Sequence, residues 1–222
     1  MNLKKIINFG IEQFYNILSP PICVSCRIYL NKREILCQEC FVKIKPIVSI
    51  ELEITKTKSM KVFALSFYQE PLRSMIMAKF FSNPAPFKQL AELVWQNSAI
   101  SNLEFDYLVP VPLHWTRFAS RGFNQAYILS YYLSKFSGKP VVDILIRKKM
   151  TKFQSLLSKN ERDENLKSAF EFKKSVNLEQ FQGKKLLIID DLMTTGSTLK
   201  HLGKKLCELE PSSISAFVVC RR

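Results

Sequence analysis

The chain predicts an α/β fold built on a mostly parallel sheet flanked by helices, with a small cysteine-bearing module in front of it. Three observations carry that expectation. From residue 61 onward, strand-length apolar runs alternate with helix-length amphipathic stretches. Near the C-terminus an apolar run, residues 185–189, ends in Asp190-Asp191, then a hydroxyl- and glycine-rich turn, then an amphipathic stretch over 199–209. Strand, polar loop, helix is the order that places a ligand outside the carboxyl end of a parallel sheet. Finally, 222 residues of ordinary apolar content can bury one core and carry a small appendage.

Taken in order, residues 1–50 form an N-terminal helix plus the cysteine module, and residues 51–222 the main domain. Leu3, Ile6, Ile7, Ile11, Phe14, Tyr15 and Leu18 recur at helical spacing, but Asn8, Glu12, Gln13 and Asn16 interrupt them. That pattern has no uninterrupted signal-length apolar core, and a helix packed on the protein is favoured over one lying on a membrane. No stretch reaches transmembrane length, so no stable membrane insertion and a cytoplasmic location are expected. Residues 49–59 read as a charged connector. Strands are expected at 61–68, 106–111, 141–146, 186–189 and 214–220, and helices at 70–81, 87–99 and 123–136. Pro110 and Pro112 end the second strand, and Ser137-Gly138 closes the long helix.

The cysteine module is Cys23-Val-Ser-Cys26 and Cys37-Gln-Glu-Cys40, two C-x2-C pairs ten residues apart. Four thiolates at this spacing can close one tetrahedral Zn2+ with no open position, which makes the metal structural. A region too short for its own core gains from such a staple. Disulfides and redox thiols are the alternatives, the first disfavoured in the cytosol. Cys207 and Cys220 read as small apolar residues in the last helix and last strand.

A net charge of +14, from 33 basic and 19 acidic residues, calls for an anionic partner or a strongly positive site. A small phosphorylated ligand needs only a few of these cations; nucleic acid would use the remainder. The six glycines are too scattered for a dinucleotide fingerprint, and no Gly-x-x-x-x-Gly-Lys-Ser/Thr occurs. Hydride transfer and P-loop ATP hydrolysis are therefore disfavoured.

The loop at 190–198 narrows the ligand. Gly196 lets the backbone approach an anion, Thr194, Thr195, Ser197 and Thr198 offer hydroxyl donors, and a helix N-terminus adds free N–H groups. Carboxylates beside a phosphate cradle repel it unless hydroxyl donors are there to be bound. A phosphorylated pentose supplies both. The full pattern resembles the phosphoribosyl pyrophosphate (PRPP) loop of type I phosphoribosyltransferases. That resemblance implies Asp190 and Asp191 on the ribose hydroxyls and Thr194 to Thr198, Gly196 included, on the 5′-phosphate. It also implies Mg2+ bound with PRPP, and a catalytic role for the two aspartates in favouring positive charge at C1.

Two further clusters extend the resemblance. Val109-Pro110-Val111-Pro112-Leu113-His114-Trp115 leads to Arg117 and to Arg121-Gly122-Phe123-Asn124-Gln125. Guanidinium groups after a strand are good binders of phosphate oxygens. Here the chain is similar to the ComF family of competence-associated, phosphoribosyltransferase-like proteins, which implies Arg117 and Arg121 on the pyrophosphate. Alternatively Arg121 and Asn124 only cap a helix, with His114 on its surface. Residues 147–174 hold nine basic and four acidic residues, with Gln154-Ser155 and Ala169-Phe170 as in that family. They read either as a lid over PRPP or as a solvated basic loop. The resemblance implies a PRPP-binding protein acting in DNA uptake and natural transformation, with single-stranded DNA and a competence helicase as candidate partners. The alternative is a metabolic phosphoribosyltransferase that transfers ribose 5-phosphate to a nitrogen acceptor and has no DNA role. Tyr68, Phe80, Phe81, Trp115 and Phe118 are the aromatics that could stack on bases.

Overall fold

A computed structural model of the chain describes residues 21–32, 34–45, 47–77, 87–148 and 169–222. The expected N-terminal helix, Phe80 and Phe81, and the basic stretch from 149 to 168 lie outside the described residues. The core is a five-stranded sheet with strands β1 (Ile47–Glu53), β2 (Ser59–Phe67), β3 (Tyr107–Pro110), β6 (Lys185–Met193) and β7 (Ser213–Arg221) in the order β1-β2-β7-β6-β3. Every pairing is parallel except that of β1 with β2. Two short strands, β4 (Leu145–Arg147) and β5 (Phe170–Phe172), form a separate antiparallel ribbon.

The sheet divides the interior into two apolar cores, and β6 and β7 feed both by the two-residue alternation of a strand. Leu186 and Ile188 join Ala216 and Val218 on one side, where helix α6 (Ser197–Leu206) packs through Leu199, Leu202 and Leu206. Leu187 and Ile189 join Phe217 and Val219 on the other. That second core takes in α1 (Gln38–Phe41), α2 (Leu72–Met77), α3 (Phe87–Asn97) and α5 (Gln125–Ser137) through Cys40, Leu72, Leu90, Val94, Leu129 and Leu133. Each fully buried aliphatic or aromatic side chain contributes roughly 1.5–3 kcal/mol, and burial on both faces is the condition under which a parallel sheet is stable. The expected fold class is the observed one.

Four local expectations are corrected. Residues 49–59 are not a connector, because β1 runs through them, antiparallel to β2. Ile50 and Leu52 pack on the first core while Glu51 lies opposite Lys61, so the charge that suggested a linker is the outer face of a strand. The strand expected at 141–146 is split. Val141 bridges to Leu108 at the sheet edge, and the chain then leaves the sheet at exposed Asp143, paired with Lys173 at 2.6 Å, before β4 begins. The run ending in Asp190-Asp191 does not stop at Ile189. Ladder pairing with β7 continues to Met193, opposite Arg221.

Lastly, Arg117 and Arg121 are not in a turn but on a helix of their own, α4 (Trp115–Arg121). His114 caps its N-terminus, accepting from the Thr116 N–H, and Gly122 at φ 81° ends it in a left-handed turn that a glycine adopts without strain. Asn124 then caps α5, accepting from the Ala126 N–H at 3.1 Å, while its Nδ2 donates to the Val111 carbonyl at 2.9 Å. Among the described residues, no helix is long and apolar enough to cross a membrane.

Candidate functional site

The site is built at the carboxyl end of β6. Parallel pairing with β3 continues one step past the strand: the Val111 N–H donates to the Ile189 carbonyl at 2.9 Å. The Pro-Val-Pro turn is thereby placed beside the residue that precedes Asp190. After Met193 the chain bends through exposed Thr194 and Thr195 to Gly196, which caps α6 at φ 75°. Gly196 is buried, and a Cβ there would stand 3.2 Å from Leu52 Cδ1. The loop therefore rests on β1, the strand whose charged pattern hid it. Thr195 Oγ1 accepts from the Ser197 N–H at 3.4 Å, and half-buried Ser197 and Thr198 open the helix. The sequence-expected residues from Asp190 to Thr198 thus form one continuous surface around a helix N-terminus.

Asp190 is the electrostatic centre. Its Oδ1 accepts from the Asp191 N–H at 2.9 Å. Burial, and then the adjacent Asp191 carboxylate, push its pKa well above the usual aspartate range, while Arg147 opposes the rise. A desolvated carboxylate beside a second one is a costly arrangement without a ligand. It suits a partner that brings hydroxyl donors or a cation, and Mg2+ with a polyol phosphate brings both.

The sequence places Arg147 at the head of the basic stretch that is similar to the ComF pattern but gives it no site role. It ends β4, lies opposite Phe170 in the ribbon, and has its guanidinium 5.6 Å from that ring's centroid. Burial lowers its pKa, Arg117 lowers it further, and Asp190 counteracts both. Arg147, on β4, is thus within electrostatic reach of both Arg117 on α4 and Asp190 on β6. The apolar register of residues 144–147 against 170–172 was the signal in the sequence that could have found it.

His114 does not sit on the helix surface but is 5% exposed. Its Nδ1 accepts from the Thr116 N–H at 3.3 Å, which leaves Nε2–H to donate to the Lys148 carbonyl, also at 3.3 Å. It ties the start of α4 to the residue after Arg147. Arg121 is the last residue of α4, and its side chain lies outside what the structure describes.

The four cysteines come together as expected. Their sulfurs all lie within 4.8 Å of one another, with Cys26 and Cys37 at 3.5 Å. Four sulfurs 2.3 Å from a zinc ion stand about 3.8 Å apart, so the cluster has the size a tetrahedral Zn2+ requires. Burial alone would raise the Cys23 thiol, but the backbone N–H groups of Cys26, Cys37 and Ser25 bring it down to about 6, while burial pushes Cys40 up to about 12. Cys23, Ile35, Leu36 and Cys40 pack into the second core of the main domain. Cys220 is fully buried, as its apolar reading expected; Cys207 is half-buried in a short turn after α6.

Comparison with known proteins places this geometry. Residues 80–222 match the family described as Phosphoribosyl transferase domain. Competence protein F of Haemophilus influenzae is 32% identical over 168 residues, 72% of each chain. DNA utilization protein YhgH of Escherichia coli is 33% identical over 117 residues, 52% of this chain and 49% of that protein. Competence protein ComFC of Bacillus subtilis is 35% identical over 115 residues, 51% of this chain and 44% of that protein. The chain spans only about half the length of the last two relatives. Among solved structures, adenine phosphoribosyltransferase from Saccharomyces cerevisiae aligns at TM-score 0.40 and 16% identity, over 83% of this chain and 87% of that one, which is too remote to add to the argument. The chain belongs to the phosphoribosyl transferase domain family and, within it, to the competence protein F (ComF) family.

Two outcomes follow from the site's chemistry. Cys40→Ser is expected to remove one bound zinc per chain, read by atomic absorption, and to lower the thermal midpoint of the whole protein by several degrees; loss of metal with an unchanged midpoint would contradict a structural role. For Asp190, a raised folded-state pKa means that the native chain holds the proton more tightly than the unfolded one. Stability is then lost as pH rises from about 4 through the folded value. Asp190→Asn should therefore raise the thermal midpoint at pH 7 to 8 and leave it nearly unchanged below pH 4, measured without ligand.

Proposed function

We propose that this chain binds PRPP at the loop following β6 and acts as a ComF-type protein in the handling of incoming DNA during natural transformation. The observation that carries the PRPP reading is the half-buried Asp190-Asp191 pair joined without interruption to the Gly196 turn and α6. In this reading Asp190 and Asp191 accept from the ribose 2′ and 3′ hydroxyls. Thr194, Thr195, Gly196, Ser197 and Thr198 surround the 5′-phosphate, which is favoured by the α6 dipole. Arg117 and Arg121 hold the pyrophosphate. Mg2+ would be bound with the pyrophosphate and ribose oxygens, supplying charge neutralisation. The cysteine cluster would hold a structural Zn2+ through Cys23, Cys26, Cys37 and Cys40.

The DNA part rests on the relatives' names, on the charge of +14, and on two aromatics of α4: Trp115 is 70% exposed and Phe118 51%. They stand one helical turn apart on the helix that carries Arg117, a combination suited to stacking on single-stranded bases beside phosphates. Tyr68 is half-buried and less suited. A helicase or other DNA-processing partner belongs to the same reading. Calorimetry with PRPP, with and without Mg2+, is the direct test. Binding is expected for the wild type, with about tenfold or greater weakening in Asp190→Ala. No PRPP binding by the wild type would overturn the reading.

The second reading, a metabolic phosphoribosyltransferase, shares the ligand. The C1–O bond to pyrophosphate would break and a C1–N bond to a nitrogen acceptor would form, with the two carboxylates favouring the positive charge developing at C1. Acceptor-dependent release of pyrophosphate, abolished in Asp191→Ala, is the expected outcome of that reading. An absence of release across bases and amines by a PRPP-binding wild type leaves the binding role alone.

A further inference from the structure

Between Asp106 and Asp143 the chain runs for thirty-six residues without an acidic side chain, where its average of 19 in 222 would place about three. The same stretch holds Arg117, Arg121, Lys135 and Lys139, and eight of its residues are aromatic. The fold leaves many of those rings outside. Of the nine large apolar side chains exposed among the described residues, five lie here: Trp115 and Phe118 on α4, and Tyr127, Tyr131 and Phe136 on α5. Exposed rings beside cations, with no carboxylate among them, suit a polyanion that carries flat bases.

Helix α5 sets its share of them in a line. Its start is held at the carboxyl end of β3, where Asn124 donates to the Val111 carbonyl, and the chain after it returns to the amino end, where the Leu108 N–H donates to the Pro140 carbonyl at 3.0 Å. Leu129 and Leu133 fill the second core. Tyr127 and Tyr131, 40% and 43% exposed, therefore stand one turn apart on the outer face, with Lys135 one turn further on. Lys135 Nζ lies 5.0 Å from the Tyr131 ring centroid, which puts a ring for a base and a cation for its phosphate side by side. Past Lys135 comes a cavity of about 480 Å3, lined by Phe136, Lys139 and Trp95, whose ring stacks on Phe136 at 6.2 Å. The two acids that border it are engaged, Glu104 with Lys185 Nζ and Asp106 with the Lys185 N–H. On the adjoining α3 the exposed charges of Lys88 and Glu92 balance.

Residues four apart rise about 6 Å along a helix, nearly twice the roughly 3.4 Å step of a duplex strand. Rings at that spacing fit bases that are spread apart, and so a single strand. Resting on the DNA reading above, we propose that single-stranded DNA lies along the outer face of α5, from Trp115 and Phe118 past Tyr127 and Tyr131 to the cavity of Trp95 and Phe136. The path begins at the end of the sheet that carries Asp190 and leads away from it. A strand and a sugar phosphate would then occupy different surfaces of one chain.

The test is fluorescence anisotropy of labelled oligothymidylate with the full chain. Tyr127→Ala combined with Tyr131→Ala is expected to weaken binding about ten- to a hundredfold; the pair Tyr127→Phe and Tyr131→Phe, which keeps the ring faces, should change it by less than about twofold. Lys135→Gln should lower the slope of log affinity against log salt by about 0.7. Trp95 and Trp115 are the chain's two tryptophans, so in Trp115→Phe the emission comes from Trp95 at the far end, and it should be quenched as the strand saturates. Wild-type affinity in the folded alanine pair, equal loss in the phenylalanine pair, or Trp95 emission unmoved at saturation would overturn this path while the DNA reading stands. A wild type that binds no single strand removes both.

Discussion

Everything in this fold follows from the burial of one strand on both faces. β6 is paired with β3 on one side and β7 on the other, with a helical or ribbon layer above and below it, so its backbone and side chains are fully committed. Such a strand has only its carboxyl end left to present chemistry. The two carboxylates are there, held by a ladder that continues past them to Met193. Their proximity to apolar layers is what lifts Asp190 out of the usual range, so the same burial that stabilises the sheet sharpens the site. Stability and ligand demand are opposed at a single residue, a common condition of functional sites.

The second organising feature is convergence. The loop of residues 194–198 arrives from β6, Arg117 from the helix after β3, and Arg147 from a ribbon outside the sheet. Of these, Arg117 and Asp190, at the end of β6, each lie within electrostatic reach of Arg147, although the three belong to elements far apart in sequence. His114 joins two of them with a ring that accepts at one nitrogen and donates at the other. Leu52 supports the third through its contact with Gly196. The catalytic or binding surface is thus braced by residues that would not touch a ligand themselves.

Much of this was legible in the chain before its fold was known, and the reasons it was differ by element. Consecutive apolar residues at 186–189, and the capping and breaking residues Asn124 and Gly138, state their roles locally. The spacing of the four cysteines fixes their meeting because few geometries close so short a loop. What escaped was non-local. β1 alternates Ile, Glu, Leu and Glu, which is a strand only if one face has a core to meet; its charges alone suggest a linker. Arg147 looks like any cation of a basic run until Phe170, twenty-three residues away, is brought beside it. The burial of His114 depends on the Lys148 carbonyl, which no local pattern announces. Local propensity reads out of sequence; register between distant segments does not.

The cysteine module has a consequence for the stability of the main domain. Cys23 and Cys40 are not on a detached finger but inside the same apolar core as α2, α3 and α5. A metal held there would be a component of the folding equilibrium and not an accessory to a finished domain. Losing such a metal would then act on the stability of the shared core, and not on the cysteine module alone.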